Sequence, residues 1–409
     1  MPVAPPTVEA GRLRRARGAV SACFFLNAVF FAGLVPRLPE IKDELDLSST
    51  ALGLALAAMP LGALLAALSA APINRRFGSG PVASFGLALL GIAVWTAAVS
   101  PTWWGLAGAL LVLGALDAIV DVAQNAHGLR VQRLYGRSII NSFHGLWSVG
   151  AVTGGVLGSA AAGLRIPLGV QLGVAAVVFG AAALVISRHV LPGPDEPEPV
   201  AGAPVVERPR RRAAFPALAV LGVLAACGAF VEDVGASWSA LYLRTELAAG
   251  PAVAGLGFVA LSVAMTVGRL TGDRVVDRFG QRRVARAGGA LAAVGMGLAL
   301  AVPSVTTTLL GFALAGLGVA TLIPAVYQAA DELPGLPHGT GLAVINWLLR
   351  IGFLLSPPLI GALADAVSLR AALVAVVVAG VGALVLGRAL PNRGATAPPA
   401  APSPAGAAP

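Results

Sequence analysis

Charge is what this chain has least of. Asp, Glu, Lys and Arg together make up 11% of its 409 residues, against about a quarter in an ordinary soluble domain. Mean hydropathy is +0.84 and 57% of the residues are apolar. Too little polar surface remains to cover a water-facing fold of this length, so the chain is expected to lie in a membrane. Cysteine is nearly absent: Cys23 and Cys227 both fall inside apolar runs, which excludes a disulfide framework and a cysteine metal site. HExxH, GxSxG and GxxxxGK[ST] do not occur, so neither membrane proteolysis nor ATP-driven pumping finds its residues. No enzymatic activity, cofactor or metal is expected. The formal charge of +9 would suit nucleic acid, but no basic patch alternates with aromatics for base stacking, and no nucleic-acid partner is expected.

What the sequence has instead is long charge-free stretches. A helix crosses a bilayer in about 20 apolar residues. Residues 51–73, 138–164, 167–187, 213–231 and 371–387 carry no acidic or basic side chain, and two longer runs, 81–116 and 287–330, break near Pro101 and Pro303. Twelve crossings follow: 18–36, 50–73, 81–99, 103–126, 138–162, 167–187, 214–243, 252–272, 285–302, 305–329, 339–363 and 369–389, referred to below as spans 1 to 12. The expected class is an all-α membrane protein in contact with lipid. Arg12 to Arg17 precede a long apolar run; with no clear cleavage site and eleven crossings after it, the run is read as a retained first span rather than a signal peptide.

Connections between twelve spans alternate in side, and the basic residues fall almost wholly on one set. That set holds Arg12, Arg14, Arg15 and Arg17, Arg75 and Arg76, Arg130, Arg133 and Arg137, Arg188, Arg208 and Arg210 to Arg212, Arg274 to Arg286, and Arg388 and Arg393. The other set has only Arg37, Lys42, Arg165, Arg244 and Arg370. The excess marks a cytoplasmic face, so a multi-pass protein of the inner (plasma) membrane with both termini in the cytoplasm is expected.

Between spans 6 and 7 the composition turns to Pro and charge, PGPDEPEPVAGAPVVERPRRR, which cannot bury a core and reads as a linker. The division is a cytoplasmic segment 1–17, a six-helix bundle 18–187, a cytoplasmic linker 188–213, a second six-helix bundle 214–389 and a disordered tail 390–409. A shift of 202 lays the second bundle on the first: Gly53 falls on Gly255, the RFG of 76–78 on that of 278–280, and Gly114 on Gly316. Parallel repeats of this kind hold substrate near the bilayer midplane and expose it to each side in turn.

The stretch GRLTGDRVVDRFGQRR, Gly268 to Arg283, resembles the signature loop of the major facilitator superfamily. The twelve-span topology and central linker match that family over nearly the whole chain. The resemblance implies the major facilitator fold, two pseudo-symmetric six-helix bundles, and an intracellular latch formed here by Gly272, Asp273, Asp277, Arg278, Gly280, Arg282 and Arg283. Asp277 is placed to pair with arginines and a helix N-terminus. Asp273 stands where the family usually has glycine, and in the first-half copy, PINRRFGSG, Arg75 stands where the aspartate belongs.

Within the spans, polar residues are few and placed at helical spacing. Asp117, Asp121 and Asn125 lie four apart on span 4 and share one face. A charged Asp at mid-membrane costs about 2.5–3.5 kcal/mol, whereas a Leu or Val returns ~0.3–0.6. The acids are either hydrogen-bonded helix-packing groups or they border a hydrated cavity in which one of them takes up and releases protons. The stripe also resembles the fucose permease and related sugar-porter branch, where an acid four before an asparagine couples proton movement; Asp121 and Asn125 match, while the branch's partner acid falls on Ala32. A group of uncharacterised bacterial facilitators resembles this chain in PRLPEIK, NSFHGLWSVG and an E…W…YL span 7. There Glu232, rather than the adjacent Asp233, is expected to face the cavity. Arg350 in span 11, with Asn346 on the same face, needs an anionic partner; Asp121, Asp117 and Glu232 are available. Asn141, His144 and Trp147 in span 5, with Trp238, Tyr327, Asn346 and Arg350, complete the residues expected to meet substrate, alongside Asn125.

These patterns predict a monomeric secondary transporter of the major facilitator fold, a proton-coupled symporter of a small polar solute such as a sugar. Asp121, Asp117 and Glu232 are its candidate proton carriers. The alternative is a proton-driven drug or metabolite efflux antiporter, since Gly145, Gly154 and Gly158 have the spacing of that group's span 5 although Ser159 replaces its proline. A sensor or scaffold that no longer transports is the third possibility.

Overall fold

A computed structural model describes residues 10–136, 139–193, 211–333 and 340–391. The linker and the tail lie mainly outside these residues, as does most of the segment before span 1. The described residues form helices without a strand, and twelve are long and apolar enough to cross a membrane. Their bounds are Gly11–Glu44, Ser49–Phe77, Ser79–Ala98, Trp103–Tyr135, Ile140–Gly163, Leu168–Ile186, Phe215–Thr245, Pro251–Phe279, Gln281–Ala301, Val305–Asp331, Val344–Ala366 and Leu369–Ala389. All twelve expected crossings are present. Several helices overrun their apolar runs, as spans 2, 4 and 8 do to Phe77, Tyr135 and Phe279. Backbone hydrogen bonding does not stop at the lipid edge, and Arg is a good helix former.

The two breaks expected in the long apolar runs occur where polar caps replace apolar side chains. Thr102 accepts the Gly105 N–H before span 4, and Ser304 with Thr307 forms a capping box before span 10, satisfying donors that would otherwise be orphaned. Span 1 extends past its expected end. A 3₁₀ turn at Val35–Arg37 leads into a short helix, Leu38–Glu44. The PRLPEIK motif is thereby a strut: Arg37, 2% exposed, pairs with Glu40, donates to Gln171 Oε1 at 2.5 Å and to the Ile166 carbonyl at 2.8 Å, tying the end of span 1 to the start of span 6.

The internal repeat is structural. Gly114 of span 4 packs on the Met59 backbone of span 2, and Gly316 of span 10 packs on the Leu261 backbone of span 8; both partners are related by the same shift of 202. Gly78 and Gly280, also equivalent, end spans 2 and 8 at φ +83° and +82°, a left-handed backbone that other residues seldom adopt. The halves meet along spans 2 and 11 and along spans 5 and 8. The tight contacts sit at the end poor in arginine: Gly53 on Pro357, Gly361 on Ser49, Gly163 on Ala252 and Gly255 on Pro36 and Ser159. Toward the basic end, Leu65, Leu68 and Trp347 are exposed, and no described glycine there packs on the backbone of the other half.

Candidate functional site

The two halves bring polar residues from several spans to one place. On span 4, Asp121 is exposed although it lies midway along an apolar helix. Its Oδ1 accepts from Asn125 Nδ2 at 3.0 Å and from Gln124 Nε2 at 3.3 Å. One turn earlier, Asp117 Oδ1 accepts from Asn27 Nδ2 at 2.8 Å, and Asn27 Oδ1 accepts from Trp147 Nε1 at 2.9 Å. Asn27 thus links spans 1, 4 and 5 through both ends of one amide. Sequence reasoning passed over it, because a single Asn in an otherwise apolar span 1 has no periodic partner. Its signal was the expense of burying an amide at that depth.

The second half supplies the cations. Arg350 of span 11 lies within electrostatic reach of Asp117 and Asp121 across the interface, and of Tyr327 on span 10. Among the described residues it has no ion pair within 4 Å, so its interaction with these carboxylates is through space rather than by direct contact. Tyr327 donates to Asn346 Oδ1 at 3.3 Å, fixing the expected span 11 face beside span 10. His144 of span 5, exposed and edge-on to Phe24, lies within electrostatic reach of both Asp121 and Arg269. Asn141, one turn closer to the basic end, is exposed.

Two expectations meet a different geometry. Glu232 does not partner Arg350; it receives Arg269 Nη2 of span 8 at 3.3 Å. Arg269 is the second residue of the signature stretch and lies within the expected span 8, but the sequence does not show that it turns toward span 7. Trp238 is 0% exposed and packed in the core of the second half, so in this conformation it presents no face to a ligand. It follows Glu232 by six residues, which turns the two side chains about 120° apart around the helix. Asp233 turns toward Ser356 of span 11, with its Oδ2 unpartnered.

At the basic end, Gly272 leaves room for Thr321 of span 10, and Gly280 shapes the turn into span 9. Arg282 donates to the Leu390 carbonyl at 2.8 Å, and Arg278 lies over the Phe279 ring. Asp273, Asp277 and Arg283 are exposed, and among the described residues they form no ion pair or hydrogen bond. The pairing expected of Asp277 is absent among the described residues: of the neighbouring arginines, Arg282 is engaged with Leu390 and Arg278 with Phe279. The described residues hold no group of three metal-ligating side chains.

The assembled site therefore has carboxylates on spans 4 and 7, guanidiniums on spans 8 and 11, and amides, a phenol and indoles around them. Such a set can orient a polar solute by hydrogen bonds, stack an apolar ring face, and exchange protons.

Comparison with known proteins agrees with this architecture. The sequence profile of the Major Facilitator Superfamily matches residues 20–235 and 218–409. An uncharacterized MFS-type transporter of Yersinia pestis is 30% identical over 351 residues, covering 85% of this chain and 89% of its own. The membrane protein MosC of Rhizobium meliloti is 29% identical over 372 residues, covering 89% and 87%. Among solved structures, a bacterial homolog of the human lysosomal transporter Spinster, inward-facing and unoccupied, superimposes with a TM-score of 0.76 at 16% identity, over 94% of this chain and 98% of that one. The facilitator FucP in its outward conformation gives 0.61 at 17% identity, over 91% and 97%. At these identities the structures speak for the fold alone. With profile matches spanning both halves and a relative aligned over most of its length, this chain belongs to the major facilitator superfamily, as a transporter.

Proposed function

We propose that the protein moves a small polar solute, such as a sugar, in symport with protons. A single observation carries this reading: two carboxylates of one half, Asp117 and the exposed Asp121, lie within electrostatic reach of Arg350 of the other half. An uncompensated charge pair in hydrocarbon would only weaken insertion. Bordering a hydrated cleft, the same residues give a carboxylate that can gain a proton from one side and lose it to the other, and a fixed cation that stabilises the released state. Asp121 is the proton carrier, Asp117 is held in place by Asn27, and Asn125, Asn141, His144, Trp147, Tyr327, Asn346 and Arg350 surround the solute. Glu232, paired with Arg269, sets the field on the opposite wall. The basic end faces the cytoplasm, by its excess of arginine, in the inner membrane, and the protein works as a monomer.

Purified protein is screened by thermal shift against monosaccharides, nucleosides and small organic ions, and stabilising compounds are assayed for uptake into proteoliposomes. The expected result is accumulation when the outside is acidic and simple equilibration when no pH gradient exists. Accumulation driven by an acidic lumen would assign the protein to efflux antiport, and equilibration under every gradient would remove proton coupling.

A further inference from the structure

The first residues of span 2 have N–H groups that no helical carbonyl can accept. One is satisfied locally, since Ser48 Oγ accepts from the Ala51 N–H at 3.1 Å. The other two are satisfied from the opposite half: Asp365, near the end of span 11, accepts the Ser49 N–H at 2.9 Å through Oδ1 and the Thr50 N–H at 2.7 Å through Oδ2. The approach that makes this possible needs glycine. A β-carbon on Gly361 would lie 2.8 Å from the Ser49 carbonyl carbon, and one on Gly53 would lie 2.8 Å from that of Pro357.

We propose that Asp365 is an interlobe clasp that sets the balance between the state closed at the arginine-poor end and the state open there. The inference rests on the alternating-access reading above. The carboxylate lies opposite a positive helix end, and among the described residues no Lys or Arg side chain comes within 4 Å of it, so its partner is the helix terminus itself. Asp365 is solvent-exposed, and so water replaces the partner when the halves part. An anchor of this strength favours closure without trapping it, as a gate that opens in every cycle requires. Among the described residues, a further charged contact across the halves at this end, Arg244 with the exposed Asp43, is longer at 3.8 Å.

Spin labels at Glu44→Cys in the first half and Val367→Cys in the second, in a Cys23→Ala, Cys227→Ala background, report the separation at this end. The full chain is measured in nanodiscs between pH 5 and pH 8. The parent is expected to show a dominant short distance with a minor long one. Asp365→Ala is expected to lower the short-to-long ratio about five- to tenfold, with Asp365→Asn intermediate because its amide oxygen still accepts one N–H. Thermal unfolding is expected to stay unchanged, since neither half loses an internal contact. Two populations in the parent with the same ratio in Asp365→Ala would overturn the clasp while leaving alternating access intact. One unvarying distance in every variant and condition would overturn both.

Discussion

At Asp121 an exposed carboxylate is held by Asn125 and Gln124. Asp121→Asn fixes the uncharged form in nearly the same volume. It is expected to abolish accumulation driven by a pH gradient while solute exchange across the membrane continues; accumulation at the normal rate would remove Asp121 from coupling. Arg350 tests the opposite wall. Its charge acts through space, so Arg350→Lys should retain more transport than Arg350→Ala in the same uptake assay, and full activity in both would exclude it from the site. Asn27→Ala leaves the Asp117 carboxylate and the Trp147 indole N–H without their shared partner. A loss of about 1–3 kcal/mol is expected, read as a lower unfolding temperature together with slower uptake. The span 4 stripe and the Asn346–Arg350 face were legible in the sequence because spacing of four on a helix needs no knowledge of neighbours. Asn27, and the diversion of Glu232 to Arg269, were not, because periodicity shows which residues share a face and not which face of another helix they meet.

Helix by helix, the apolar runs and their breaks near Pro101 and Pro303 located every span, and the shift of 202 placed equivalent glycines at equivalent contacts. The ends were less legible. Charge at the bilayer edge marks where lipid stops, whereas the helix continues until a glycine such as Gly78 or Gly280 turns the chain. Span 10 shows a break that composition concealed: it divides into Val305–Val319 and Leu322–Asp331, ahead of Pro324, which lacks the N–H to bond back to residue 320. The glycine contacts themselves are testable. A β-carbon at Gly114 would come 2.6 Å from the Met59 carbonyl carbon, while Gly108 on the same span meets nothing within 4 Å. Gly114→Ala should therefore destabilise the protein by about 1–3 kcal/mol, and Gly108→Ala should be neutral or slightly stabilising. Equal unfolding temperatures for the two would refute the close approach of spans 2 and 4.

For the molecule as a whole, contacts across the halves concentrate at the arginine-poor end, and the signature loop at the basic end is disengaged. The polar site lies between them. Sequence patterning indicated two halves and a central site. It could not indicate which end is closed, because that depends on Gly53, Gly361 and Asp365 meeting residues from the other half, and single positions in loops and helix ends carry no period. The central claim is that the polar residues of span 4 border a hydrated cleft rather than lipid. Its most direct test is labelling of Asn125→Cys, in the Cys23→Ala, Cys227→Ala background, by a membrane-impermeant thiol reagent. Sealed vesicles of both orientations are used, with Val177→Cys, a position 71% exposed on the outer face of span 6, as the lipid-facing reference. The account predicts labelling at least tenfold faster than at Val177→Cys when the basic end faces the reagent. Labelling as slow as the reference from both sides would contradict it.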